Sequence, residues 1–321
     1  MAAACGGRKS PHPSLSTPIG RPMPLIRELS PHADAITVQA HPPGYAEILL
    51  RVLAISGYGL WIWLGMALAL GMERIGRCGM RMPLLLGTAL VGAGLLLVHL
   101  RLPTTTDWYG WRPDRDRWPA RAVLMALVTF LPVLLVIILG DGHGHVPAMR
   151  LAGVALMLCS LVSLVYTAYR YRRRLSPGLQ RVSSSLPVSR LVTAWYGGGL
   201  WLWLCTMVQG GLEPSHRAYP WILLLLALAL LLGLLEGMRW QLLGLGHGTG
   251  GEEMDSHNVP PARFVAALLI YVLPCAALLL TERYGGGLLA AAVAVPSCLL
   301  GKMLEQRVYE TALAGALPSS G

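Results

Sequence analysis

Apolar residues in this 321-residue chain fall into eight runs, at 48–71, 83–100, 120–140, 148–169, 191–211, 219–240, 262–281 and 288–304. Short stretches rich in Arg, Gly, Pro and acidic residues part them. None of the runs alternates apolar with polar positions as a half-buried strand does, and each is near the ~20 residues a helix needs to cross about 30 Å of hydrocarbon. Glycine and proline within the runs do not oppose this, because neighbouring helices can satisfy the backbone groups they free. The pattern predicts an all-α integral membrane protein with eight transmembrane helices.

The runs are not independent of one another. Gly57-Tyr-Gly-Leu-Trp-Ile-Trp-Leu64 returns 140 residues later as Gly197-Gly-Gly-Leu-Trp-Leu-Trp-Leu204, and each copy has a glutamate fourteen residues past its third position, Glu73 and Glu213. At an offset of 142, Pro119-Ala-Arg-Ala-Val123 matches Pro261-Ala-Arg-Phe-Val265, each with a proline eleven residues after its arginine, Pro132 and Pro274. Landmarks repeated in one order predict a duplicated unit. Four helices per copy keep both copies in the same orientation, giving two parallel-repeat four-helix bundles. The predicted segments are a disordered tail at 1–44, a first repeat at 45–172, a basic linker at 173–190, a second repeat at 191–312 and a short tail at 313–321.

Composition narrows the class. Only 13% of residues are charged, and mean hydropathy is +0.54, which excludes an ordinary soluble domain. The formal net charge of +10 is distributed as topology rather than as a nucleic-acid surface. The N-terminal tail, the loops after the second, fourth and sixth runs and the C-terminal end together hold 19 Lys/Arg; the other loops hold six, and Arg51 lies within the first run. The positive-inside bias therefore predicts both termini in the cytoplasm, in a bacterial inner membrane, with the lipid bilayer as partner and no nucleic acid. The basic stretch 170–174 fits the same headgroup-facing role. Residues 1–44 lack the apolar stretch of a signal peptide. The six cysteines are scattered with no CxxC pair, which predicts no iron–sulfur cluster in this chain.

Ionisable residues within apolar runs are the candidates for chemistry. His99 is the one histidine inside a run, one turn from its end, with Thr88 and Gly92 on the same helical face. The loop that follows carries Trp108, Tyr109, Trp111, Arg112, Arg115, Arg117, Trp118 and Arg121. An imidazole there has a proton affinity suited to accepting a quinol proton; the other reading is a histidine capping a helix end at the interface. A single intramembrane histidine cannot ligate a bis-histidine haem, so no haem is expected. His143 and His145 beside Asp141, and the loop from His247 to His257, read as polar turns or as weak metal sites. Glu236 sits late in the sixth run, three residues before Arg239; an intrahelical pair and a proton-relay role are both open. The doubled Leu-Trp-x-Trp segments read as packing or inter-bundle contact.

His99-Leu-Arg-Leu-Pro103 closing one helix, followed by Trp118-Pro-Ala-Arg121 opening the next, resembles the membrane anchor subunits of dimethyl sulfoxide reductase. These belong to the NrfD-like quinol-interacting anchors of molybdopterin oxidoreductases. The ending Leu300-Gly-Lys-Met-Leu-Glu305-Gln-Arg307-Val-Tyr309 is similar to that family's Gly-Glu-Leu-x-Glu-Arg-x-x-Phe. The resemblance spans about residues 45–312. It implies a subunit without catalytic residues of its own that binds exchangeable menaquinol or ubiquinol near His99. Electrons would pass to an iron–sulfur subunit and on to a molybdopterin catalytic subunit. Arg101, Arg121, Trp108 and Trp111 are the neighbours it implies around the quinol. The chain departs from the pattern in two places: Arg101 stands where the family has glycine, and Ala122 where it has the glutamate that partners the histidine. A small-molecule transporter built on the same parallel repeat, with its site between the repeats, is the alternative reading.

Overall fold

The computed structural model describes residues 44–71, 77–100, 120–141, 146–173, 186–209, 218–246, 261–284 and 287–315. Helices account for nearly all of them. In chain order these are α1 (Tyr45–Ala69), α2 (Arg77–Leu100), α3 (Ala120–Asp141), α4 (Val146–Arg173), α5 (Leu186–Val208) and α6 (Ala218–Gly246). Next, α7 (Pro261–Ala267), one π turn (Leu268–Val272) and α8 (Leu273–Tyr284) run on as one rod, and α9 (Gly287–Gly315) follows. Every apolar run is helical, and several helices outlast their runs. α5 begins at Leu186, inside the stretch expected to be linker, and α9 continues to Gly315 through Glu305, Arg307 and Glu310. Hydrophobicity marks where a helix must lie in lipid, whereas the helix itself persists for as long as neighbours satisfy its polar groups.

Six helices of the described residues are long and apolar enough to cross a membrane: Tyr45–Ala69, Val146–Tyr169, Pro187–Val208, Pro220–Gln241, Pro261–Thr281 and Gly287–Thr311. Gly79–Leu95 and Leu127–Gly140 are apolar but shorter. Aliphatic residues such as Leu230, Leu151 and Ile138 stand largely exposed on the outer faces, as lipid-facing positions do. The chain is a helical, multi-pass membrane protein.

Two hydrophobic clusters fill the interior. One is built from α1, α2, α3 and α4 around Trp61, Leu64, Leu84, Val136 and Leu156. The other is built from α5, α6, the π turn, α8 and α9 around Tyr196, Trp203, Leu232, Ile270 and Leu278. They meet where α1 crosses α5. A Cβ on Gly59 would overlap the carbonyl oxygen of Ala194, and a Cβ on Gly198 would overlap the backbone of Gly59, so these two helices touch backbone to backbone. α1 packs on α4 in the same way, where a Cβ on Gly65 would lie 2.6 Å from the oxygen of Gly153. Both segments that carry the Leu-Trp-x-Trp pattern therefore lie in the contact between the clusters. Trp61 turns into the first cluster, edge-on to Tyr58 and Phe130. Trp63 turns to the second, where its Nε1 donates to the oxygen of Trp195 at 2.8 Å and its ring meets Trp195 and Trp221.

Prolines inside the helices create a defined debt of hydrogen bonds, because each lacks the N–H that the carbonyl four residues earlier would accept. Pro274 follows the π turn, where Leu273 N–H bonds five residues back to Leu268 O, and there the buried Tyr196 hydroxyl of α5 donates to the Ile270 carbonyl at 3.1 Å. For Pro83 the carbonyl four residues back is Gly79, and Gln209 Nε2 at the end of α5 donates to it at 2.9 Å. Tyr196→Phe is expected to remove this donor from Ile270 O in a dry interior and to cost about 1–3 kcal/mol. The check is a lowered thermal midpoint in detergent, with the helical circular dichroism of the folded state unchanged.

Candidate functional site

Glu236 lies among leucines of α6, and Lys302 lies one turn before Glu305 on α9. Alone, any of these charges would be costly in lipid. The packing of α6, the π turn and α9 gathers them: Lys302 Nζ donates to Glu236 Oε1 and, at 3.0 Å, to Glu305 Oε2, while the Tyr271 hydroxyl donates to Glu236 Oε2. Lys302 is 3% exposed and Glu236 6%, so this is a buried charge cluster rather than a surface pair. The sequence placed Glu236 opposite Arg239. Arg239 instead lays its guanidinium 3.5 Å above the ring of Tyr309, whose edge meets Trp240, and Lys302 from another helix takes the carboxylate. Three residues of helical separation allowed the local pair; the approach of α9 instead sets the buried Lys302 ammonium against the carboxylate, where their attraction offsets the desolvation of both.

Beside the cluster a cavity with about 40 Å³ of water-accessible space opens between α1, α5, α6 and α9. Among the described residues, its wall carries four cations, Arg51, Arg190, Arg239 and Lys302, and three carboxylates, Glu236, Glu305 and Glu310. At its mouth Arg51 bridges Glu310 at 2.7 Å and Glu47 at 2.9 Å. Arg307 lies 3.4 Å over the ring of Tyr45. Charges of both signs in similar number leave the cavity polar without a strong field of either sign. A smaller cavity, with about 10 Å³ of water-accessible space, shares Thr193 and Lys302 with it and continues past Ser56, Gly197 and Cys298 towards the middle of α1 and α5.

The residues predicted around the quinol are not all available to geometry. His99 belongs to the last turn of α2 and Arg121 to the first turn of α3, but their side chains, with Arg101, Trp108 and Trp111 entirely, lie outside the described residues. So do Glu73, Glu213, His143, His145 and the 247–257 loop. Thr88, on the His99 face, turns its hydroxyl back to the oxygen of Leu84 at 2.8 Å. Among the described residues no three His, Cys, Asp or Glu side chains gather as metal ligands. Sequence reasoning missed Lys302 as a site residue; the available signal was a lysine inside an apolar helix, and it was absorbed into the C-terminal charge count. No family model, no curated protein and no solved structure matches this chain, and the functional reading therefore rests on its residues and their geometry.

Proposed function

We propose that the chain is the membrane subunit of a quinol-linked oxidoreductase, of the kind that anchors an iron–sulfur subunit and a molybdopterin catalytic subunit. It has eight spanning helices as two parallel four-helix repeats in a bacterial inner membrane, with both termini in the cytoplasm. Menaquinol or ubiquinol binds beside His99, which accepts a proton, with Arg101, Arg121, Trp108 and Trp111 around the ring. The single observation that carries this reading concerns the last helix. Its Gly301-Lys302-Met-Leu-Glu305-Gln306-Arg307 stretch, on which the family resemblance partly rests, contributes Lys302, Glu305 and Gln306 to the wall of the polar cavity. A helix that served only to span lipid would have no reason to bury these charges. The two hydrophobic clusters meeting at Gly59 and Gly198 are what a repeat of one bundle leads one to expect.

The second reading, a small-molecule transporter, is favoured by the position of the cavity, which touches helices of both clusters. Affinity purification of the tagged chain in mild detergent separates the two. Iron–sulfur and molybdopterin subunits, with iron and molybdenum in the eluate, are the expected result. Elution alone and without either metal overturns the subunit reading and makes solute flux into vesicles the next measurement. In the intact complex, His99→Ala is expected to lower quinol oxidation by about 10²-fold or more, the usual scale for loss of a proton-transfer group. Electron transfer from an artificial dye donor that bypasses the membrane subunit stays unchanged.

A further inference from the structure

We propose that the cavity between α1, α5, α6 and α9 is a hydrated half-channel ending at Glu236, and that Glu236 is a proton-binding site inside the membrane. The inference shares the Lys302, Glu305 and Gln306 wall of the cavity with the quinol reading, but uses no residue of the His99 loop.

Four polar atoms around this cavity have neither solvent nor a hydrogen-bond partner: the Tyr309 hydroxyl, Arg239 Nε, Gln306 Oε1 and Glu310 Oε2. Tyr309 is 96% buried, so its hydroxyl has no bulk water to turn to. The set mixes a donor, two acceptors and a hydroxyl that is both. A ligand of one charge would leave half of them unmatched, whereas water, both donor and acceptor, matches all four in type. Its water-accessible space of about 40 Å³ holds about three waters, at roughly 10–15 Å³ for each water centre. Hydration also removes the main objection to buried charge in a bilayer, because such residues line water-filled cavities when they do not pair directly.

The depth is right for an intramembrane site. Lys302 lies nine residues before Thr311 and Glu236 five before Gln241, the ends of their spans, which is about 13 Å and about 7 Å at 1.5 Å per residue. The route enters where α1 and α5 begin and α6 and α9 end. It passes Arg51 and Glu310, then Arg190 and Gln306, and arrives at Lys302 and Glu236. The smaller cavity continues the polar lining to Thr193 and Ser56.

At the end of the route a hydronium in the water file gives its proton to the Glu236 carboxylate, leaving water and a neutral carboxyl; nothing is oxidised or reduced. Every packed element contributes a group that responds. The Tyr271 hydroxyl of the π turn reverses from donor to acceptor as Oε2 takes the proton. Lys302 retains its contact with Glu305 of α9, 3.0 Å away. Arg239 of α6, Arg51 of α1 and Arg190 of α5 are the remaining cations across the cavity. A cluster in which one cation is shared by two carboxylates can hold or release one proton without stranding the lysine. A sealed structural latch would need neither the cavity nor the unpartnered atoms.

Infrared difference spectroscopy on the full chain in lipid nanodiscs, stepped between neutral and acid buffer, tests the proton site. The expected spectrum contains a protonated-carboxyl C=O band that shifts in D2O. Glu236→Gln removes the band, and Tyr271→Phe moves it while the protein stays folded. A band unchanged in both variants, or no band in the folded wild type, overturns the assignment. Thiol access tests the channel, and does so even if Glu236→Gln fails to fold. In a chain with its native cysteines replaced, Thr193→Cys is expected to react with a charged, membrane-impermeant methanethiosulfonate from one face only. Its rate should exceed that of the lipid-facing control Leu230→Cys by about tenfold or more, since the thiolate forms only in water. Thr193→Cys no faster than the control means a dry cavity and sinks the half-channel.

Discussion

Lys302→Met is expected to destabilise the folded bundle by about 3–5 kcal/mol, the cost of leaving a buried carboxylate without its cation. Lys302 holds Glu236 and Glu305 together, and all three lie between α6, the π turn and α9. Methionine fills similar volume, so the loss reports charge rather than a cavity. The double variant Lys302→Met with Glu236→Gln is expected to recover most of that loss, because neither partner then remains charged and buried alone. Thermal unfolding in one detergent, read for wild type, both single variants and the double, gives the coupling. Additive losses would mean that the two side chains do not share an interaction, and the cluster described for α6 and α9 would be wrong.

Gly59→Leu is expected to be as damaging by a different route. The Cβ alone overlaps the carbonyl oxygen of Ala194, and a backbone oxygen in the middle of a helix cannot swing aside as a side chain can. α1 and α5 would have to separate along the whole contact between the two hydrophobic clusters. A cost on the order of 4 kcal/mol or more is the scale for such forced overpacking, enough to abolish a monodisperse folded peak in size-exclusion chromatography. Gly92→Leu on α2 is the control, since a Cβ there meets nothing within 4 Å. A Gly59→Leu protein that elutes and melts like the control would show that the helices do not touch at this point.

The repeated Leu-Trp-x-Trp segments show how far sequence likeness carries. Both copies are helical and both lie in the contact between the clusters, as their small and aromatic residues imply. Their matched tryptophans nonetheless do different things. Trp61 is fully buried against Tyr58 and Phe130, while its counterpart Trp201 is only partly buried and lines the smaller cavity beside Lys302. Trp63 reaches across to the Trp195 carbonyl, while Trp203 stays within its own cluster. A pattern shared by two helices fixes which face is aromatic, but not which neighbour that face meets.

The site divides in the same way. Glu236 was legible as the one carboxylate within the apolar runs, because any ionisable group there demands an explanation. Its partner was not, since Arg239 is near in sequence and Lys302 is 66 residues away. Tyr196 likewise gives no sign in sequence of serving the turn before a proline on another helix, although the proline itself announces that backbone groups there need partners.

By itself the sequence determined that this chain is helical and membrane-crossing, and where along the chain its apolar helices run. Those properties follow from the length and polarity of continuous segments, which each segment carries alone. Only the tertiary structure decided which charges neutralise one another, which carbonyls are rescued by which side chains, and where a polar cavity remains. These depend on helices distant in sequence coming within a few ångströms. Along α1 and α5 that approach is set by two glycines whose missing side chains let the backbones meet.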